Sequence, residues 1–165
     1  MPEIEIRPFV ADDVDGVISL IVPIQAEEFG IAITAADQPD LMAIAEFYQS
    51  GKGQFWVAVR DAKVVGTLGL RDIGNDQSAL RKMFVAMEVR GSQHGVAAML
   101  LSALFTHAEK GGIKDIFLGT TDKFLAAHRF YEKNGFAEIE PTDLPLSFPR
   151  MAVDSKFYRH RVNKG

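Results

Sequence analysis

One feature limits the possible folds of this 165-residue chain more than any other: its hydrophobic period changes near Arg90. From Gln54 to Met87 the stretch "QFWVAVRDAKVVGTLGLRDIGNDQSALRKMFVAM" is a succession of β-rich runs broken by short polar turns at Asp61 to Lys63 and at "GNDQ". That pattern predicts a hairpin followed by a third strand, an antiparallel meander. From Gly95 onward Val96, Met99, Leu100, Ala103, Leu104 and His107 recur at i, i+4, i+7 and neighbouring offsets, the spacing of a buried helix face. Three strands therefore feed one long helix through the loop "RGSQHG".

The flanking segments extend the pattern. Alternation in Glu3 to Arg7 predicts a first strand, and Asp12 or Asp13 caps a helix carrying Val14, Val17, Ile18 and Ile21, which Pro23 ends or kinks. "ADQPDLMAIAEFY" predicts a second helix capped by Asp37, with Pro39 in its first turn and Leu41, Ile44, Ala45 and Tyr48 at helical spacing. Beyond "KGG" come a strand in "KDIFLGTT", a short helix in "KFLAAHRFYEKNGF" ending at Asn134-Gly135, and a strand in "FAEIE". A proline-rich connection, "PTDLPLSFPRM", leads to a final strand in "AVDSKFYRH". The order βααβββαβαββ is mixed α/β (α+β), and without a repeat or long linker residues 1–165 read as one domain.

Composition narrows the function. A formal net charge of −4 provides no global positive field for nucleic acid or anionic lipid, so an anionic ligand must be held locally. The absence of cysteine excludes disulfides, thiolate metal sites and a cysteine nucleophile. The stretches "VISLIVPI" and "VAAMLLSALF" fall short of the roughly 20 residues that span a bilayer, and "MPEIEIRPFV" lacks a signal-peptide core. The expectation is a soluble cytoplasmic protein with no membrane or nucleic-acid partner, monomeric or homodimeric.

The loop is the chemically informative segment. Arg90-Gly91 followed by Gly95 at a helix start offers backbone N–H groups and the positive end of a helix dipole, an anion site in principle; a plain strand-to-helix turn is the alternative. Its spacing is not that of a P-loop. The longer stretch "LRKMFVAMEVRGSQHGVAAMLLSAL", followed by "AAHRFYEKNGF", resembles the acetyl-coenzyme A motifs of the GNAT family of N-acetyltransferases. Phe84-Val85, Arg90-Gly91, Gly95-Val96-Ala97 and Leu100-Leu101 carry the first motif, and Ala127, Tyr131, Gly135 and Phe136 the second. Two departures stand out. Ser92 occupies the place of the family's Arg or Gln three residues before Gly95, with Arg90 two residues earlier, and Phe124 stands where the family often has Asn.

The resemblance implies a GNAT-like fold, a mostly antiparallel twisted sheet of six to seven strands with helices on both faces, binding acetyl-coenzyme A. It assigns Phe84, Val85, Arg90, Gly91, Ser92, Gln93, His94, Gly95, Val96 and Ala97 to the cofactor, with amides from Ser92 to Ala97 on the pyrophosphate. It implies that the Lys82 to Val85 strand and the "FLGTT" strand splay apart to admit the pantetheine arm. Tyr131 is then the general acid toward the departing thiol, a phenol of pKa about 10 staying protonated at neutral pH; a packed helix-face aromatic is the alternative. The N–H of Val85 or a neighbour would stabilise the developing oxyanion. On the acceptor side Glu28 is the candidate base, with Glu27, Phe29 and Phe148 lining the substrate; solvated glutamates are the alternative. The expected reaction is acetyl transfer to a primary amine, of a small molecule or a peptide, by direct attack with no metal. A non-catalytic acyl-CoA sensor and an interaction module on the same fold are the rivals.

Overall fold

The computed structural model describes residues 3–27, 30, 34–91, 93–122, 125–151 and 154–162. Its centre is the predicted meander, β2 (Gln54–Arg60), β3 (Lys63–Gly74) and β4 (Gln77–Val85). The hairpin turns explain the register: Asp61 and Ala62 (φ 52° and 63°) and Asn75 and Asp76 (φ 57° and 59°) each form a pair of left-handed residues. Such turns match the right-handed twist of the strands they join. β1 (Glu5–Pro8) pairs antiparallel with β2 at one edge. On the other side β5 (Asp115–Thr120) runs parallel to β4, and β7 (Lys156–Arg161) lies antiparallel between β5 and β6 (Ala137–Ile139). The resulting seven-stranded order is β1-β2-β3-β4-β5-β7-β6, parallel only at β4–β5.

Strand alternation divides the core in two. Phe55 and Val57 point to one face, where they bury Val17 and Ile21 of α1 (Val14–Glu27) and Ile44 and Tyr48 of α2 (Ile44–Tyr48). Trp56 and Ala58 point to the other, against Leu100, Leu101 and Leu104 of α3 (Val96–Gly111) and Tyr131 of α4 (Leu125–Lys133). The start of α3 sits close on the sheet because Gly66 has no side chain: a Cβ there would stand 3.0 Å from Val96 Cγ1 and 3.1 Å from Leu100 Cδ1.

Of the two outcomes expected at Pro23, an end or a kink, the end does not occur: α1 runs through it to Glu27. The proline lies on the exposed face, as does Ser19 four residues earlier, so the carbonyl it leaves unbonded meets water. The second helix is much shorter than the pattern implied, because Leu41, Met42 and Ala43 bond back only three residues, to Gln38, Pro39 and Asp40. Those tight turns bury Asp40, whose carboxylate accepts the Tyr48 hydroxyl at 2.6 Å.

Candidate active site

The site begins with a defect in β4. The β3–β4 register shifts between Thr67 and Gly69, and Lys82 stands in the left-handed region at φ 56°. This is a bulge, and bulges bend the strand that carries them. Buried Thr67 holds it by donating Oγ1 to the Lys82 carbonyl at 2.8 Å. Consequently β4 and β5 pair only at Gln77–Ala79 with Asp115–Phe117, and from Leu80 and Leu118 onward the two strands diverge without ladder bonds. The Ala86 N–H is donated to Val65 O on β3, so alternation turns the peptide groups of Val85 to the opposite edge, toward β5. The Val85 carbonyl there accepts the Arg90 Nε at 2.8 Å, so Arg90 folds back on the strand end. The Phe84 side chain leaves the gap and packs with the α1 and α2 cluster.

β4 hands over to α3 through a 3-10 turn, Met87–Val89, and two left-handed glycines, Gly91 (φ 100°) and Gly95 (φ 66°). The Gly91 carbonyl accepts the amides of His94 and Gly95, which narrows the predicted donor set. The first helical bond is Met99 N to Gly95 O, and Gly95 provides no side-chain cap. The amides of Val96, Ala97 and Ala98 therefore precede the helical ladder, with Val96 itself buried and Ala97 half-buried. Gln93 is exposed and His94 half-buried, while Ser92 lies outside the described residues.

Tyr131 reaches this gap from α4. Its ring is buried among Phe130, Phe136 and Tyr158, and its hydroxyl stands 3.9 Å from the Met83 sulfur, on the residue after the bulge. A side chain that follows β5 in sequence thus touches β4, where the strands have parted. Burial pushes its phenol up to about 12.

The opposite face of the bulge carries groups that sequence reading missed. Asp40, Tyr48, Arg81 and Lys82 form one buried network: the Arg81 Nε donates to the Tyr48 hydroxyl at 3.2 Å, and Arg81 and Lys82 lie 3.7 Å and 3.6 Å from Asp40 Oδ2. The Lys82 Nζ also donates to Gln38 Oε1 at 2.7 Å, and Gln38 exchanges bonds with Gln25 of α1. Burial lowers the Lys82 ammonium from its usual range and raises the Tyr48 phenol well above its own. Nearby, Asp154 lies against β5, where a Cβ on Gly119 would stand 2.5 Å from its carboxylate oxygen. Burial raises its carboxyl, opposed by the Met151 amide it accepts and by Arg81 and Arg150. The available signal was two adjacent cations inside the apolar run "SALRKMFV", a local conflict that tends to mark functional sites.

Of the predicted acceptor residues, Glu27 is exposed and lines a groove of about 510 Å³ with Asp12, Lys63 and Glu88, apart from the network. Glu28 and Phe29 lie outside the described residues. Phe148 is half-buried, edge-on to Phe157 at 6.3 Å. Three histidines have structural partners: His107 meets Lys52 O and Trp56, His128 meets Thr121 O, and His160 stacks on Phe105 and meets Gly135 O. Among the described residues no cluster of metal-ligating side chains occurs, and no helix is long and apolar enough to cross a membrane.

Known proteins share this architecture. A family model described as the acetyltransferase (GNAT) family matches residues 20–136. An N-acetylaspartate synthetase of Xenopus tropicalis is 35% identical over 111 residues, 65% of this chain and 40% of that protein, so the chain spans less than half of that relative's length. A crystal structure of a GNAT-family acetyltransferase from Staphylococcus aureus Mu50 superposes with TM-score 0.90 at 39% identity, covering 97% of this chain and 99% of that one. In fold alone, N-acetylglutamate synthase from Neisseria gonorrhoeae, complexed with coenzyme A and N-acetyl-glutamate, matches with TM-score 0.73 at 17% identity, over 97% of this chain and 35% of its own.

Proposed function

The chain belongs to the acetyltransferase (GNAT) family, and we propose that it transfers an acetyl group from acetyl-coenzyme A to a primary amine by direct attack. One observation carries this reading: the Tyr131 hydroxyl meets β4 beside a bulge, at the place where β4 and β5 separate. A strand edge released from its neighbour beside a buried phenol suits a ligand that joins an extended amide-bearing arm to a thiol leaving group.

The residues fit that ligand at both ends. The amides of Val96, Ala97 and Ala98, at the positive end of α3, would hold its diphosphate, and the Val85 peptide group would pair with its arm. Bound there, it supplies an activated acyl group as a thioester. Tyr131, with its phenol pushed up to about 12, keeps its proton through the neutral range and donates it to the departing sulfur. The acceptor nitrogen forms a bond to the acyl carbon as the carbon–sulfur bond breaks, and it gives up a proton. Asp154 takes that proton in this reading: it lies against Gly119 on the diverging part of β5, half-buried, with its affinity for a proton raised by burial. Glu28, which lies outside the described residues, is the other carboxylate assigned to this side. A cytoplasmic site of action completes the reading.

The test is a thermal-shift titration with acetyl-coenzyme A followed by mass spectrometry of an amine panel. The expected result is a rise in melting temperature and a gain of acetyl on at least one amine. No shift at saturating concentration would reduce the site to an interaction module, and a shift without acetyl gain on any amine would leave a sensor.

A further inference from the structure

We propose that the acceptor amine also carries a carboxylate, which the Arg81–Lys82 pair binds. The inference deepens the acetyltransferase reading and rests on it.

Charge is the starting point. Arg81 and Lys82 are 14% and 8% exposed and, among the described residues, share one buried carboxylate, that of Asp40 at 6%. The Tyr48 phenol, held neutral, adds no charge. Asp154 faces Arg81 but faces Arg150 as well, so counting both leaves the same surplus of one positive charge among the described residues. Half-buried Arg71, over the Phe47 ring at 3.7 Å, adds another cation to this face. An uncompensated charge away from water is costly, and a bound anion removes the cost.

Position supplies the second step. In a regular strand neighbouring side chains point to opposite faces, and Arg81 and Lys82 would be separated. The bulge at Lys82 turns both toward Asp40 instead. It also sets Met83, the contact of the Tyr131 hydroxyl, one residue further along. One bulge therefore carries the anion-binding pair on the α2 side of β4 and, on the next residue, the contact of the Tyr131 hydroxyl on the other side, so that an acceptor held by the pair would meet the acyl group at the gap where β4 and β5 part. A simple diamine would instead set its second cation against Lys82.

The experiment compares glycine, β-alanine and L-aspartate with glycinamide, β-alaninamide, L-aspartic acid diamide and putrescine, in wild type, Lys82→Met and Arg81→Gln. Two readouts are taken: kcat/KM by thiol release, and thermal shift without an acyl donor. The expected outcome is at least a tenfold preference for an acid over its amide, carried by KM. The acid should also raise the melting temperature where its amide does not. Both effects should collapse toward equality in Lys82→Met, which keeps the bulk of the side chain, and shrink in Arg81→Gln. Equal use of acids and amides, preference for putrescine, or an unchanged ratio in Lys82→Met would overturn the proposal. The donor-free shift decides the matter even if no amine is turned over, a failure that would fall on the acetyltransferase reading alone.

Discussion

Tyr131 has two descriptions at the scale of one residue, a packed aromatic and a proton donor, and they predict different variants. Removing the hydroxyl leaves the contacts with Phe130, Phe136 and Tyr158 in place, since these involve the ring. Among the described residues the hydroxyl's contact is with a thioether, a weak acceptor, so little folding energy rests on it. Tyr131→Phe should therefore keep its melting temperature within a degree or two and its affinity for acetyl-coenzyme A, while kcat falls by about 100-fold or more, the usual scale of a general acid. Turnover equal to wild type would leave the residue as packing. Because burial pushes the phenol up to about 12, loss of its proton should not limit kcat anywhere between about pH 6 and pH 9. An alkaline fall within that range must come from another group.

Two elements carry the site, the bulged strand β4 and the first turn of α3, and each has a variant that separates local geometry from folding. Thr67 is fully buried and its hydroxyl is the partner of the Lys82 carbonyl, so Thr67→Val keeps the shape and removes that bond. A stability loss of about 1–3 kcal/mol in urea unfolding is expected, with a rise in KM for acetyl-coenzyme A as β4 relaxes toward β5. A loss of stability with unchanged KM would mean that the bulge is held by other contacts. In α3, Ala97→Asp places an anion at the second helical position, where the dipole stabilises it by about 0.3–1 kcal/mol. Folding should be unharmed or improved while coenzyme A binds at least tenfold more weakly by calorimetry, because two anions then compete for one helix end. Unchanged affinity would detach the cofactor from this helix. Gly95 is a poorer choice for the purpose, since any side chain at its φ of 66° strains the fold as well as the site.

Over the whole molecule, what could be read in advance is what local pattern encodes. The meander, the long helix and the order of elements along the chain followed from period and turn chemistry, whereas the roles given to the loop and to Tyr131 came through resemblance and stand as proposals. The diverging strands were reached through resemblance, because a bulge at Lys82 leaves no mark in hydrophobic period. Asp40 and Tyr48 were read as parts of a regular helix; the force that overrode the pattern is a buried ion network closed by Arg81, 41 residues from Asp40 and 33 from Tyr48, and by Lys82, 42 residues from Asp40. Sequence separation of that kind is invisible to a window. The same lesson applies to Asp13, read with Asp12 as a candidate helix cap. Its carboxylate receives both Arg7 guanidinium nitrogens, at 2.7 Å and 2.9 Å, and the Val10 amide at 2.9 Å, tying edge strand β1 to the start of α1. The Arg7 bonds hold the Asp13 carboxyl below the ordinary carboxylate range, against the opposing effect of burial. A carboxyl depressed in the folded state adds stability that is complete above its unfolded pKa, about 3.9, and is lost as pH falls through the lower folded value. Wild type should exceed Asp13→Asn by about 1–2 kcal/mol in urea at pH 7, Asp13 being buried and Arg7 only partly exposed. The gap should hold down to about pH 5 and close as both proteins are titrated toward pH 2. A gap that persists unchanged at pH 2 would show that the side chain acts through shape, and that the charge of Arg7 does not help fasten the edge of the sheet.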